Sequence, residues 1–441
     1  MTVAEHPALA VVRGAGGALR TGRLTRIMPT SLEADGPSVA VGTLCAVGAS
    51  GRSGDVLLAE VISLGQRSVR LVPHGDVSSL AVGARVVALS GDPKLPVGDA
   101  FLGRAVDCAG KPIDGGGSIR SREFGAINPD PPTPLERSTP DRILKTGIRA
   151  IDGLLTLGEG QRIGIFSASG VGKTSLLSQL VRQVEADVCI TCLVGERGRE
   201  VESFWSGELG GTTRARSVLI AATSDQPAAL RIRAVHQAVA LARHFRDQGK
   251  HVFFVLDSVT RFAMALRELG LAAGEPPTIR AYTPSVFAII PRMVEQFGAL
   301  RTGGSISAVM TVLSETDDTD DPLSELMKSL LDGHFILSRT LAERGHFPAI
   351  DPLKSVSRNA PSLRSRDHRE LGGAGLALLA RYESARPLIE SGLYVAGSNR
   401  GIDAAIAAEP PLTAFLRQEL ANSTTLDETI ATLRRATRES A

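Results

Sequence analysis

Cysteine is scarce in this sequence: 441 residues contain only Cys45, Cys108, Cys189 and Cys192. Four cysteines are too few to build a disulfide framework in a chain of this length. Cys189 and Cys192 form a CxxC, a spacing that can indicate redox chemistry or a zinc site, but they lie within the β-branched run 187–194. Side chains three residues apart on a strand point to opposite faces of the sheet. We therefore predict that both thiols belong to the buried core.

An excess of charge of one sign is missing as well, since 49 basic and 47 acidic residues leave a formal net charge of +2. This balance provides no strongly basic field for a nucleic-acid backbone. No apolar run reaches the length of about 18 residues that indicates a membrane-spanning helix. Residues 1–13 lack the basic cluster and apolar core of a signal peptide. These absences predict a soluble, cytoplasmic protein that binds no nucleic acid.

The length of the chain suggests about three domains. The pattern of apolar and polar residues changes along the chain accordingly. Residues 1–20 are rich in small residues and predict a flexible segment. Residues 21–97 contain five short β-rich runs broken by Gly and Pro, a pattern typical of a small antiparallel barrel; the runs are 22–28, 38–47, 55–63, 68–73 and 84–90. A linker and entry to the core follows at 98–146. Over 147–362, apolar strands alternate with helices, which predicts a mainly parallel sheet with helices on both faces. Residues 363–441 are predicted to form a helical C-terminal domain, with helices at 376–389, 413–420 and 426–436.

A glycine-rich loop, Ser167-Ala-Ser-Gly-Val-Gly-Lys-Thr174, stands between a predicted strand and a predicted helix. Such a loop leaves backbone N–H groups free to bind phosphates at the positive end of the helix dipole. Lys173 would reach the β- and γ-phosphates, and the Thr174 hydroxyl would coordinate Mg²⁺. The other nucleotide-binding residues that we predict in and after the loop are Ser169, Gly170, Val171, Gly172 and Ser175.

An acidic residue at the end of a second apolar strand is expected beside such a loop, and Asp257 follows the run 252–256. At the carboxyl edge of a parallel sheet, Asp257 would hold Mg²⁺ through a water. The alternative is that Asp257 only caps the helix that follows. We predict Mg²⁺ as the cofactor, ATP as the substrate, and Thr174 and Asp257 as the protein ligands of the metal.

Hydrolysis also requires a group that orients or deprotonates the attacking water. The string Gly195-Glu-Arg-Gly-Arg-Glu200 directly follows another predicted strand and therefore lies at the same edge of the sheet. We predict that Glu196 is the base and that Arg197 contacts the γ-phosphate. The alternative is a solvated charge run with weak local ion pairs, which is how we interpret Glu200 and Glu202.

Two residues far along the chain are candidates for the same site. Arg358 could stabilise the negative charge that develops on the γ-phosphoryl group, a role in which arginine fingers contribute about 10³–10⁵ in rate. From its sequence context, Arg358 could equally be an ordinary surface arginine. Phe347 is either a core residue or a ring that stacks on adenine.

Together these motifs resemble those of the type III protein export ATPases, which serve the flagellum or the virulence injectisome. These ATPases are close relatives of the F-type ATP synthase α and β subunits. The resemblance covers nearly the whole chain, including the junction 96–104 between barrel and core. It is carried by the phosphate loop and by the strings Gly195-Glu-Arg-Gly-Arg-Glu200, Asp257-Ser-Val-Thr-Arg-Phe-Ala263, Gly274-Glu-Pro-Pro277, Pro284-Ser-Val-Phe287, Leu331-Asp-Gly-His334 and Ser355-Val-Ser-Arg358.

The resemblance implies a RecA-like P-loop NTPase core over 147–362 that assembles into a homohexamer with nucleotide between subunits. It implies that Glu196 is the catalytic glutamate and that Arg358 is an arginine finger acting in the neighbour's site. It further implies that ATP hydrolysis drives chaperone release and substrate unfolding, at the cytoplasmic face of the inner membrane. The implied partners are export chaperones and substrates, a stator-like regulator, a central stalk protein and the membrane-embedded export gate.

Three features depart from the family pattern. Ser167 stands where Gly or Ala usually opens the loop, and a serine fits there if its φ stays negative. Phe347 stands where the family usually has an adenine-stacking Tyr, so the ring face is kept and the hydroxyl is lost. The segment before the barrel is short and lacks a clear amphipathic helix for the regulator.

Three other functions compete with this interpretation. The catalytic subunit of a rotary proton-translocating ATP synthase has the same core, but the strings around Asp257 and Leu331 favour the export family. A hexameric RNA translocase would need aromatic stacking platforms in its N-terminal domain, and residues 21–97 contain no Trp, Tyr or Phe. A regulatory subunit without turnover would lack the glutamate or the finger, and both Glu196 and Arg358 are present.

Overall fold

The computed structural model describes residues 20–48, 56–89, 94–313 and 321–438. The segment 1–20, predicted to be flexible, lies outside the described residues except for Arg20. Within the described ranges, no helix is both long enough and apolar enough to cross a membrane.

Six short strands form a closed antiparallel barrel at the N-terminal end of the described chain. They are β1 (Thr21–Ile27), β2 (Leu32–Ala34), β3 (Leu44–Gly48), β4 (Val56–Leu64), β5 (Val69–Pro73) and β6 (Arg85–Ala88). Their order around the barrel is β1-β2-β5-β4-β3-β6, and Leu24, Leu71 and Val86 are buried at its centre. The sequence pattern predicts five of these strands and misses β2, because three residues carry too little alternation to be recognised.

One large sheet forms the framework of the central domain. The remaining strands of the chain are β7 (Lys94–Val97), β8 (Arg104–Val106), β9 (Glu123–Ala126), β10 (Arg137–Ser138), β11 (Ile143–Leu144), β12 (Leu157–Gly158), β13 (Arg162–Ser167), β14 (Val188–Glu196), β15 (Ser217–Thr223), β16 (His251–Asp257), β17 (Gly298–Leu300), β18 (Ser305–Leu313), β19 (Gly333–Leu337) and β20 (Ile350–Ser357). The sheet has the order β20-β19-β13-β18-β16-β14-β15-β8, with β17 and β10 joined through β18. Along this path only β20 is antiparallel to its neighbour. The segment 98–146 therefore contributes an edge strand, β8, to the core.

Helices cover both faces of the sheet. They are α1 (Lys173–Gln183), α2 (Gly198–Glu202), α3 (Gly211–Ala215), α4 (Ala228–Asp247), α5 (Val259–Ala273), α6 (Pro284–Val294), α7 (Pro322–Leu330), α8 (Arg339–Glu343) and α9 (Ala360–Leu363), with π-helical turns at Ala150–Leu155 and Ser203–Glu208. Cys189 and Cys192 of β14 lie in the core layers on opposite faces of the sheet. Both thiols are free and buried, and burial raises the pKa of each. The prediction that they are core residues is confirmed.

Three helices complete the described part of the chain: α10 (Arg366–Glu390), α11 (Arg400–Leu416) and α12 (Leu426–Arg438). The sequence pattern places the second of them at 413–420, whereas α11 already begins at Arg400. The reason is that Pro410 and Pro411 lie inside α11, where proline usually indicates a break. The predicted fold class is confirmed: an N-terminal barrel, a central α/β domain and a C-terminal helical domain.

The strand directions decide where the candidate residues lie. The parallel strands β13, β14 and β16 end at the same edge of the sheet, with Ser167, Glu196 and Asp257 as their last residues. Because β20 runs antiparallel, its last residue, Ser357, pairs with Gly333 at the opposite edge.

Candidate nucleotide-binding site

The glycine-rich loop connects the end of β13 to the start of α1, as predicted. Gly170 and Gly172 have φ values of 82° and 87°, the left-handed region that favours glycine. Gly172 is the N-cap of α1, so the unpaired N–H groups of the first helical turn open directly from the loop. Ser167 remains in the strand with a negative φ, which satisfies the condition for a serine at this position.

Three ionisable side chains of the site converge beyond the loop. The Lys173 ammonium contacts the Asp257 carboxylate and lies 3.7 Å from Glu196 Oε1. The Thr311 hydroxyl donates a hydrogen bond of 2.6 Å to the same Asp257 oxygen that Lys173 contacts. Each of the three charged side chains is less than 15% exposed, so these charges interact in a largely desolvated environment.

Glu196 is the group whose ionisation the site changes most clearly. Burial, and then the negative charge of Asp257, raise the pKa of Glu196 to about 7. The Glu200 side chain is hydrogen-bonded to Glu196, and this bond lowers the pKa of Glu200, with Arg197 contributing in the same direction. Glu200 therefore lies in the site and does not belong only to a solvated charge run. Arg197 itself is exposed.

The donor set fits a Mg²⁺ ion bound together with a triphosphate. Thr174 lies exposed in the first turn of α1, and the Asp257 carboxylate ends the neighbouring buried strand. No cluster of three or more His, Cys, Asp or Glu side chains that could hold a metal occurs in the described part of the chain. Mg²⁺ characteristically takes one or two protein ligands and completes its shell with phosphate and water oxygens.

Arg261 is a site residue that the sequence reasoning missed. Its side chain packs over Gly195, where a Cβ atom would lie 3.0 Å from the Arg261 Cβ. The Arg261 Nε is buried and has no hydrogen-bond partner among the described residues, so the side chain that packs over Gly195 carries an unpaired donor. The sequence contained a signal for this residue, because Arg261 follows Asp257 by four residues and lies in the first turn of the helix that begins at Val259.

Phe347 lies at the other side of the loop. Its ring is 3.2 Å from where a Cβ of Gly172 would stand, and the side chain is 44% exposed, too open for a core residue. The ring borders a cleft of about 840 Å³ between α1 and the C-terminal domain. The cleft is lined by Arg149, Gly170, Gly172, Ser175, Leu176, Gln179, Gly345, Phe347, Pro348, Arg417, Gln418, Glu419, Leu420 and Asn422. Sequence reasoning missed the lining residues from the C-terminal domain. No local motif indicates that residues so distant in the sequence form one side of the cleft; Leu420, for example, accepts a hydrogen bond from Gln183 of α1, and the two are 237 residues apart.

Arg358 is separated from the rest of the candidate residues. Its backbone N–H donates to Asp332 O at 3.0 Å, and its guanidinium donates to Lys328 O at 3.1 Å. Asp332 also binds Arg162, the first residue of β13. The length of β13, roughly 17 Å, therefore lies between Arg358 and the phosphate loop, and Arg358 does not reach the site of its own chain.

Comparisons with known proteins agree with this geometry. Residues 147–357 match the model of the ATP synthase alpha/beta family, nucleotide-binding domain. Residues 25–90 match the beta-barrel domain of the same family, and residues 364–435 match the T3SS EscN ATPase C-terminal domain.

Individual relatives match over nearly their whole length. The chain is 42% identical to a flagellum-specific ATP synthase of Bacillus subtilis over 94% of both chains. It is 43% identical to a type 3 secretion system ATPase of Sinorhizobium fredii over 94% of this chain and 92% of that one. Among solved structures, the assembled ATPase EscN of enteropathogenic E. coli superposes with a TM-score of 0.89 at 38% identity, covering 94% of this chain and 100% of EscN. EscN in complex with its central stalk EscO gives a TM-score of 0.86 at 37% identity, with the same coverage.

Proposed function

This chain belongs to the family of flagellum-specific ATP synthases and type 3 secretion system ATPases, and we propose that it hydrolyses ATP between the subunits of a homohexamer to drive protein export. The resemblance inferred from the motifs is confirmed, and the chain is an ATP hydrolase of the export type. The match of residues 364–435 to the EscN C-terminal domain favours export over the catalytic subunit of a rotary ATP synthase.

The observation that carries the proposal is the convergence of Lys173, Asp257 and Glu196 beside the phosphate loop. Lys173 binds the β- and γ-phosphates, and Glu196 accepts a proton from the attacking water or orients it. Thr174 and Asp257 would hold Mg²⁺, which would supply positive charge to neutralise the triphosphate. Arg197 and Arg261 are two further cations that would contact the γ-phosphate. Phe347 stacks on the adenine.

The position of Arg358 supports a site shared between subunits. A finger that lies across the sheet from its own loop acts only in another copy, so catalysis requires an oligomer. The similarity to EscN, solved as an assembled ATPase, supports the same arrangement. A head-to-tail ring joins the Arg358 edge of each subunit to the loop edge of the next.

Further partners follow from family membership. We propose that hydrolysis releases chaperones and unfolds substrates for a flagellum or an injectisome, at the cytoplasmic face of the inner membrane. EscN was solved with its central stalk, and we propose that an equivalent stalk protein binds this chain. A stator-like regulator and the export gate are the remaining proposed partners.

The proposed function is tested by measuring phosphate release from ATP and Mg²⁺ as a function of protein concentration. Specific activity should rise steeply with concentration, because complete sites form only between subunits. Glu196→Gln should bind ATP and abolish turnover. A specific activity that is constant down to concentrations where only monomer exists would disprove the shared site, and turnover by Glu196→Gln would remove Glu196 from the role of base.

A further inference from the structure

Two polar side-chain atoms in the cleft beside Phe347 are buried without a hydrogen-bond partner among the described residues. They are the carbonyl oxygen Oε1 of Gln179 and the Nε of Arg149. Buried polar groups in native proteins are nearly always paired, and each exception requires an explanation. Both atoms belong to residues that line the cleft but are themselves buried, so a ligand in the cleft becomes the partner of either atom when its side chain turns toward the cleft.

Gln179 lies on the face of α1 that forms one wall of the cleft, one turn beyond Ser175. It follows Lys173 by six residues, which places it about 9 Å along the helix from the phosphate loop. Its side-chain amine donates to Gln183 Oε1 at 3.4 Å. That bond assigns the orientation of the amide and leaves Gln179 Oε1 without a partner, while the side chain as a whole is fully buried where it borders the cleft.

The other buried amide of the cleft, Gln418, is fully committed. Its Oε1 accepts from Arg149 N at 2.9 Å, and its Nε2 donates to Gly147 O and Asn422 O, both at 2.7 Å. Gln418 therefore has no hydrogen available for a base. The Arg149 Nε offers a donor, but adenine and guanine both present an N7 acceptor, so this donor does not separate the two purines.

We propose that Gln179 sets the nucleobase preference of the enzyme. Its Oε1 accepts a hydrogen bond from the exocyclic N6 amine of adenine. Guanine carries the acceptor O6 at the same ring position, and two acceptors that face each other in a desolvated cleft repel. This inference rests on the proposed function, since the phosphate loop and the Phe347 ring fix the position of the base only if the cleft binds a nucleotide.

The test compares kcat/KM for ATP and for GTP in the full-length enzyme and in two variants. Gln179→Met keeps the shape of the side chain and removes the acceptor, and the ratio of the ATP to the GTP value should fall about tenfold. Gln179→Glu keeps an acceptor and should retain a preference for ATP. Gln248→Met removes an exposed amide at the opposite edge of the sheet and should leave the ratio unchanged.

A second measurement needs no variant. Calorimetric affinities of the unmodified protein for ADP and for inosine diphosphate compare adenine with hypoxanthine, which carries an oxygen in place of the N6 amine and a hydrogen on N1. ADP should bind about tenfold more tightly. Equal affinities, or an unchanged ratio in a folded Gln179→Met protein that still hydrolyses ATP, would overturn the role of Gln179 while leaving the proposed function intact. Failure of the unmodified protein to hydrolyse any nucleotide would contradict the proposed function instead.

Discussion

One cation faces two carboxylates where β13, β14 and β16 end. Lys173 contacts Asp257 and lies 3.7 Å from Glu196, and Asp257 is the more buried acid, with 3% of its side chain exposed against 14% for Glu196. Glu196 therefore experiences both burial and a negative neighbour, and the pKa of Glu196 is raised to about 7. A carboxylate whose pKa lies near neutrality is well suited to accept a proton from water and to return it.

The raised pKa predicts the pH dependence of the reaction. The base acts in its deprotonated form, so kcat/KM for ATP should increase with pH through about 7 and at pH 6 lie about tenfold below its plateau. A profile that is flat between pH 5.5 and 8 would contradict the role of Glu196.

ATP itself also ionises between pH 5.5 and 8, so the pH dependence of the substrate has to be separated from that of Glu196. Glu200→Ala is the control that separates them. The hydrogen bond to Glu200 raises the pKa of Glu196, so its removal should move the rising limb to lower pH. The ionisation of ATP is the same for both proteins. If the limb stays at the same pH in Glu200→Ala, it belongs to the substrate and not to Glu196.

The site residues that the sequence predicts lie at the ends of strands or in the loop that follows a strand. Lys173, Glu196 and Asp257 could be predicted from the sequence because the carboxyl ends of parallel strands meet at one edge of the sheet. Gln418 could not be predicted in this way, because it comes from the C-terminal domain and reaches the cleft only through the packing of that domain. Glu200 was assigned to a charge run, since its hydrogen bond to Glu196 depends on how α2 turns back over the end of β14.

At the scale of elements, the end of β14 packs against α5, and this contact determines how closely the base approaches the helix. Gly195 has a φ of 71°, and a Cβ there would meet the Arg261 side chain at 3.0–3.3 Å. Glycine is therefore required for two reasons: its left-handed conformation and the space that Arg261 occupies. The fold of this region was predictable from strand and helix patterns, whereas this close approach was not.

Gly195→Ala should destabilise the protein by about 1–2 kcal/mol, the cost of a left-handed non-glycine residue. It should also reduce turnover by displacing Arg261 and reorienting Glu196. The matched control is Gly198→Ala, three residues further, where the backbone is helical and a Cβ would meet no atom within 4 Å; this change should be neutral or stabilising by up to about 1 kcal/mol. Urea unfolding of both variants measures the difference, and equal stabilities would refute the packing argument.

At the scale of the whole molecule, the catalytic groups are divided between the two edges of one sheet. The phosphate loop and Glu196 lie at the carboxyl edge, and Arg358 lies beside Arg162 and Asp332 at the other. The sequence indicates the finger only by resemblance, because the direction of β20 cannot be deduced from its residues. Since β20 is antiparallel, Arg358 lies away from the phosphate loop of its own chain, and the proposed site would be completed by a second copy.

Mixing two inactive variants tests this shared site most directly. Glu196→Gln and Arg358→Ala should each lose turnover when assembled alone. In a random 1:1 ring, about a quarter of the interfaces join an intact Glu196 to an intact Arg358 from the neighbour, so the mixture should recover up to about that fraction of wild-type phosphate release. Glu196→Gln mixed with the double variant forms no complete interface and should stay inactive. If the first mixture shows no more activity than the mean of its two components, Arg358 does not act in the neighbour's site.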